Sequence, residues 1–533
     1  MVIKRESNAL ELRGSEDRGI ISPVFTMKRR WKLPLFVLMT LLLLAMGCQE
    51  LPVLFRPAPT PTPTATPVLS PEWQDVDTYR AAMLPTFADD VVLVESPTFY
   101  YIRARVDWVG EAPQVSASQI THYTNKANEP LDRLYFRLLP NKPSYGSTLA
   151  FQRVTVQGEE AELEYEVENT AVGVILPRPL QPDQSVEVHM EYQVTVPVGN
   201  AQGYGTFNYQ DGVLLLSNFY PMVAVYEAKG WNLSLAPDYG DPVYAETSFF
   251  TVELTVPQGM VVVTSGSTTT KRNNSDGTTT WTCLSGPMRD FMVVVSDRLE
   301  SSSLAVGYIR VNSYYLPEHK KAGEEVLHYA RNGLRAYQQN FGPYPFAEFD
   351  VVEVPIYAGG MEYPGLILIG QQYYDQGGEY FEFIAAHEVA HQWWYSVVGN
   401  DQVNEPWLDE SLTNFSTVYY YEHTYDRARA DLAFQNFVAR RYEQIKGTNH
   451  DQPVAQPVFA FTPQDYGTVV YGKGAVFFYE LRKKLGDGIF LEVLRTYYRD
   501  RKYQLATPED FLRIAEGVSG QELDDFYARW ILE

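Results

Sequence analysis

The hydrophobic period of this chain changes near residue 300, and that change fixes its fold class. Before it the period is two: Val186, Val188, Met190, Tyr192, Val194 and Val196 alternate with polar residues, and Phe250, Val252, Leu254 and Val256 repeat the pattern. Alternation of this kind puts the apolar side chains on one face of a strand, as in a half-buried sheet. Turn residues such as Asn273-Asn274-Ser275-Asp276-Gly277 punctuate it, and no long helical stretch interrupts it. Afterwards the period lengthens toward 3.6, with Val326, Leu327, Ala330 and Leu334 on one helix face and a second helix expected from Tyr380 to Val397. At 533 residues and 45% hydrophobic, the chain carries more apolar material than one compact core holds. The expected fold is therefore α+β and multidomain: a β-rich N-terminal domain over residues 76–300, then a mixed α/β domain over 301–533 ending in helices. One late helix should begin at Thr507-Pro508-Glu509-Asp510, which supplies a cap, a first-turn proline and an acidic third position. Beyond it Leu523, Phe526, Tyr527, Trp530 and Ile531 form one apolar stripe.

The chain opens differently. Residues 1–26 are polar and patternless and read as a non-native or disordered start. From Met27 the register changes: Lys28, Arg29, Arg30 and Lys32 precede an apolar run from Leu33 to Met46 that contains Pro34 and ends at Gly47-Cys48. A basic stretch followed by a short apolar one is a secretion signal. The run of 14 residues falls short of the roughly 17–25 that a membrane helix needs, so residues 27–48 are expected to be cleaved or lipidated, with retention as an anchor the alternative. Ala45-Met46-Gly47-Cys48 resembles the lipobox of bacterial lipoproteins, which would make Cys48 a lipidated N-terminus tethering the body outside the cell membrane. Pro/Thr alternation from Arg56 to Pro71 favours extended polyproline geometry, so residues 49–75 read as a linker or stalk. Cys283 is the one other cysteine, so disulfides contribute nothing and this thiol is expected to pack. A formal net charge of -23 disfavours nucleic acid as a partner, because reading phosphates takes clustered Lys and Arg.

Chemistry concentrates at His387-Glu388-Val389-Ala390-His391. A spacing of four on a helix puts both imidazoles on one face, one turn apart, where they can share a metal. Two neutral ring nitrogens suit zinc, and Glu388 beside an open coordination position can take a proton from water. A catalytic zinc needs a third protein ligand, and Glu410 in Trp407-Leu408-Asp409-Glu410-Ser411 follows nineteen residues after His391. A reverse turn through Gly399-Asn400-Asp401 would bring that helix back toward the first. Asp409 and Glu410 could also be a solvated acidic pair, but Trp407, Leu408 and Leu412 keep them in apolar company. Asn414, one turn further, could orient a ligand or face solvent. His122, His189, His319, His328, His423 and His450 lack a ligand-spaced partner and read as structural.

The motif HEVAH, eighteen intervening residues and the Glu of WLDES resemble the gluzincin zinc aminopeptidases, the family of aminopeptidase N and its bacterial relatives. Gly359-Gly360-Met361-Glu362-Tyr363 resembles that family's Gly-x-Met-Glu-Asn exopeptidase motif, which lies on an edge strand. The segment DYGTVVYGKGAVFFYEL, with Tyr466 and Tyr471, is similar to the one that carries the catalytic tyrosine. THYTNKANEPLDRLYFRLLPN looks like the family's β domain, so the likeness runs from about residue 90 onward. It implies an N-terminal β sandwich or saddle followed by a thermolysin-like zinc peptidase domain with one zinc per chain, held by His387, His391 and Glu410. It also implies Glu388 as general base toward the attacking water and Tyr471 as donor to the oxyanion. Glu362 would pair with the free α-ammonium of a peptide substrate, while Gly359, Gly360, Met361 and Tyr466 would join it in the substrate site. The glycine pair would let the substrate backbone lie close.

Two departures matter. Position 363 is Tyr where the family usually has Asn, which changes the subsite for the first substrate residue. The larger family members continue into a helical domain that roofs the site, so the cleft here is expected to be open and to admit long peptides as readily as dipeptides. Other readings of the same motif are a gluzincin endopeptidase, an epoxide hydrolase-like enzyme, or a non-catalytic peptide-binding lipoprotein on the peptidase fold.

Overall fold

The computed structural model describes residues 71–199 and 204–533. The start, the signal segment, Cys48 and nearly all of the linker lie outside the described residues. No described helix is long and apolar enough to cross a membrane.

Eight strands form the largest sheet, in the order Ser267–Asn273, Thr278–Leu284, Ser248–Pro257, Thr98–Val109, Ala112–Thr124, Ser185–Thr195, Thr148–Val156 and Glu159–Glu160. Its pairings are antiparallel except that of Thr98–Val109 with Ser248–Pro257, which is parallel and sets Tyr100 opposite Phe250. Those two rings stack at 4.8 Å. The alternating residues Val188, Met190, Tyr192 and Val194 all point inward, joining Leu134, Phe136, Val172 and Val174 of a four-stranded sheet in one apolar cluster. Two inner faces packed this way make a sandwich.

The first α-helix among the described residues is Lys320–Asn340. It packs beside a five-stranded sheet ordered Glu300–Val306, Ile309–Tyr315, Glu348–Val354, Leu366–Gly370 and Gly360–Met361. The two central pairings are parallel, and the short antiparallel strand Gly360–Met361 forms one edge. The two parts share a core: Phe99, Ile120, Phe249 and Leu284 from the β half belong to the same apolar cluster as Leu334, Val389 and Trp393. Near the end, helix Pro508–Ser519 opens with the expected capping box between Thr507 and Asp510, and Leu523 and Ile531 are buried beyond it.

One boundary differs from expectation. The helix expected to reach Val397 is Glu379–Ala390, with His391 as its cap. The following segment turns tightly, Tyr395 adopting a φ of 149°. Periodicity could not show this stop, because Trp393, Trp394, Tyr395, Val397 and Val398 are all buried. The segment that follows the helix is held by a buried cation: Arg289 donates to the carbonyls of Tyr395 at 2.7 Å, Val397 at 3.3 Å, Gln504 at 2.7 Å and Ala245 at 3.2 Å.

Candidate metal centre and substrate cleft

Helix Glu379–Ala390 is buried from Phe381 onward, so apolar packing fixes its rotation and holds both motif histidines in place. Helix Trp407–Thr424 packs across it, buried from Trp407 to Tyr421. At the crossing His387 Nε2 and His391 Nε2 lie 3.2 Å apart, and Glu410 Oε2 lies 3.2 Å from the first and 3.3 Å from the second. Tetrahedral ligands around zinc at about 2.0 Å have edges of about 3.3 Å, so this near-equilateral triangle fits one such ion. His391 Nδ1 faces the Trp394 carbonyl at 3.0 Å. A carbonyl only accepts, so Nδ1 carries the proton and Nε2 turns its lone pair toward the triangle. His387 Nδ1 is buried without a partner.

Burial opposes ionisation of Glu410, but His391 and His387 outweigh it and hold that carboxyl far below its usual range. Glu388 goes the other way. Burial pushes it well above its ordinary value against the pull of His391, with Glu362 and Glu410 adding repulsion. Its Oε2 has no hydrogen-bond partner, as befits a group left free to exchange a proton. Burial lowers the pKa of His387, which keeps that ring neutral.

The edge strand comes so close to Glu388 that a Cβ on Gly360 would sit 2.4 Å from the Glu388 side chain. Only glycine fits there. Gly359 and Met361 line the same cleft, of about 770 Å³. Glu362 follows them, buried, and brings an oxygen within 4.8 Å of ligand atoms of Glu388 and His391. Its Oε1 accepts from Gln402 Nε2 at 2.8 Å, and the same nitrogen donates to Asp409 Oδ2 at 2.9 Å. Asp409 Oδ1 in turn accepts from the backbone N–H of Glu410 at 2.9 Å, so the acid at the edge strand and the third ligand share one scaffold. Tyr363 points away from the cleft into the core below, donating to Ser217 Oγ at 2.6 Å.

Tyr471 lines the cleft on a π-helical turn, Val469–Gly474. Its hydroxyl donates to Glu410 Oε1, and Asn414 Nδ2 donates to its backbone carbonyl at 2.5 Å, so Asn414 faces the site. Gly474 lets this turn seat against the ligand helix, since a Cβ there would lie 2.0 Å from Ser411 Oγ. Tyr466 is not among the lining residues. It packs edge-on behind Tyr471, ring centroids 5.6 Å apart, with a buried hydroxyl that has no partner. Cys283 is fully buried in the β half, and the remaining histidines sit elsewhere, His319 between Glu353 and Asp375 and His450 beside Asp465.

Sequence reasoning missed Asp241, Tyr204, Gln402 and Arg441. Asp241 reaches the cleft from the β half with an unpartnered Oδ2, and burial together with Glu362 and Glu410 drives its pKa well up. In the sequence it precedes Pro242 in a turn-like stretch, where an acidic residue carries no sign of burial.

Residues 326–530 match the peptidase family M1 domain. Among curated relatives, Aminopeptidase M1 of Arabidopsis thaliana is 25% identical over 236 residues, covering 42% of this chain and 26% of that protein. Aminopeptidase N of Streptomyces lividans is 25% identical over 233 residues, covering 40% and 26%. The chain thus spans about a quarter of the length of these relatives. Among solved structures, the M1 zinc metallopeptidase from Deinococcus radiodurans superposes with a TM-score of 0.59 at 20% identity, over 81% of this chain and 93% of the other. A mutant of that protein bound to a Tyr-Ser-Ala substrate gives a TM-score of 0.60 at 20% identity and the same coverage. The chain is thus similar to the aminopeptidase N-like gluzincins, and its residues 326–530 match a peptidase family M1 domain.

Proposed function

We propose that this chain is a zinc aminopeptidase that releases N-terminal residues from peptides, with one zinc per chain. The observation that carries the reading is the ligand triangle of His387, His391 and Glu410 in one cleft with a partnerless Glu388 oxygen and a buried Glu362. Zinc bound there would polarise the scissile carbonyl and make the attacking water more acidic. Glu388 takes the proton from that water and returns it to the leaving amine. Tyr471, whose hydroxyl donates to Glu410 in the free protein, is placed to donate to the oxyanion. Glu362, held by Gln402, pairs with the substrate α-ammonium, which sets the cut one residue from the end. A peptide-bound relative, the Deinococcus radiodurans mutant with Tyr-Ser-Ala, supports a peptide substrate.

Aminoacyl fluorogenic substrates, free and N-acetylated, with and without a zinc chelator, test this. Turnover of the free amine alone, abolished by the chelator, is expected. Equal turnover of both forms would sink the aminopeptidase assignment. We also propose that the enzyme is exported and anchored outside the membrane through Cys48, supported by the basic-apolar segment from Met27 and by the Pro/Thr stalk. Substituting Cys48→Ser should move activity from the membrane fraction to the soluble one; unchanged fractionation would argue against lipidation.

A further inference from the structure

The cleft is acidic on one side, where Asp241, Glu362 and Glu388 meet, and Arg441 is the one Arg or Lys among its lining residues. That arginine makes no ion pair among the described residues. Its Nε donates to the Phe437 carbonyl at 3.1 Å and its Nη1 to the Gly467 carbonyl at 3.3 Å. A guanidinium has five N–H donors in a planar fork, so these two anchors fix its direction and leave three donors for the cleft. The position is also specific. Phe437, whose carbonyl anchors Arg441, packs its ring against Phe383 at 4.7 Å, one turn before His387 on the motif helix, whereas Glu362 approaches His391 and Glu388. Cation and acid therefore reach the cleft beside different residues of the motif helix, Arg441 by way of Phe383 and Glu362 at His391. Between His387 and the start of its helix, Ile384, Phe383 and Tyr380 line the cleft as an apolar wall.

With the substrate ammonium at Glu362, the residues beyond the scissile bond run toward Arg441. An extended chain advances about 3.3–3.6 Å per residue, so only the free end of a short peptide lies near enough to present its terminal carboxylate. We propose that Arg441 binds the C-terminal carboxylate of the substrate and makes the cleft selective for dipeptides and tripeptides. This rests on the aminopeptidase reading. A planar, bidentate pairing with carboxylate is what an arginine so anchored is suited to. On this basis short peptides outcompete the long ones that an open cleft would admit.

The test uses the full chain loaded with zinc and three forms of one tripeptide, Leu-Gly-Gly: free acid, C-terminal amide and N-acetylated acid. The free acid should exceed the amide in kcat/KM by at least about tenfold, as expected for a charge-assisted pair, mostly through KM. In Arg441→Gln the free acid should fall to the amide's value while the amide is unchanged, and Arg441→Lys should retain part of the difference. Calorimetry on the Glu388→Gln protein should rank acid above amide by a similar factor without any turnover. Equal kcat/KM for acid and amide in the unmodified protein overturns the proposal, as does an Arg441→Gln effect equal on both. A Leu-Asp amide as active as the free tripeptide would also overturn it, because the carboxylate read would then be a side chain's. The N-acetylated form separates the two readings: its cleavage at the free rate removes the aminopeptidase assignment, while the acid-to-amide ratio reports on Arg441 alone.

Discussion

At residue scale, the site depends on groups whose charge is decided by burial. Glu388 sits with an unpartnered oxygen beside Glu362 and Glu410, so it can accept a proton without first breaking a hydrogen bond. Glu388→Gln keeps the volume and removes the base; kcat should fall by about 10²–10⁴ with little change in peptide binding by calorimetry. Arg289 is the structural counterpart. Fully buried, with its pKa pulled down to about 10 by burial, it stays charged at neutral pH and satisfies four backbone carbonyls. Each buried acceptor left unsatisfied costs about 1–3 kcal/mol, so Arg289→Met should lower Tm sharply in a thermal melt while retaining surface charge elsewhere. Its neighbour Asp290 accepts from the Tyr395 hydroxyl at 2.7 Å, and burial lifts its pKa from the ordinary 3.8 to about 7. The folded state therefore holds a proton between those values that the unfolded chain has released. Stability is lost as pH rises through that window, by up to about 1.4 kcal/mol per unit. Asp290→Asn should flatten the pH dependence of Tm between pH 5 and 7; an unchanged slope would assign the effect to other groups.

At element scale, two helices and one edge strand set the geometry. Helix Glu379–Ala390 and its cap carry His387, Glu388 and His391, helix Trp407–Thr424 carries Glu410, and strand Gly360–Met361 is the wall against which Glu388 rests. The strand's distance from the helix is set by the absence of a side chain at residue 360. Gly360→Ala would drive a Cβ into Glu388, and the expected outcome is loss of most activity with Tm nearly preserved, since the strand can shift outward at the sheet edge. The bridge from Glu362 through Gln402 to Asp409 ties that strand to the ligand helix. On the proposed role of Glu362, Gln402→Ala should raise KM for free-amine substrates more than it lowers kcat, because Glu362 loses its bridging donor while Asp409 keeps its bonds to Asn400 and the Glu410 N–H.

At the scale of the whole molecule, the β half completes the cleft of the C-terminal half. It supplies Asp241 and Tyr204 to the cleft, and Phe99, Ile120, Phe249 and Leu284 to the core beneath the motif helix. Burying each such side chain stabilises the fold by about 1.5–3 kcal/mol. Residues 301–533 expressed alone should therefore be aggregation-prone and inactive even with zinc added. A soluble, cooperatively melting fragment would show that the shared cluster is dispensable.

The sequence by itself determined the two classes of structure and the face shared by His387 and His391, because side-chain period and i, i+4 spacing are local properties written in consecutive residues. It also determined the cap at Thr507, where the whole motif lies within four positions. The path of the chain just after the motif helix was decided by Arg289, a residue about a hundred positions earlier whose donors reach the Tyr395 and Val397 carbonyls only when the halves pack. Tyr471 and Tyr466 look alike in sequence, yet packing turns one into the cleft and the other behind it. Asp241, Gln402 and Arg441 were invisible for the same reason: an acid in a turn, an amide in a loop and an arginine on a helix gain a role only from what tertiary folding buries around them. Local spacing put two imidazoles on one face, and long-range packing brought Glu410 to them and chose the shape and charge of the space in front.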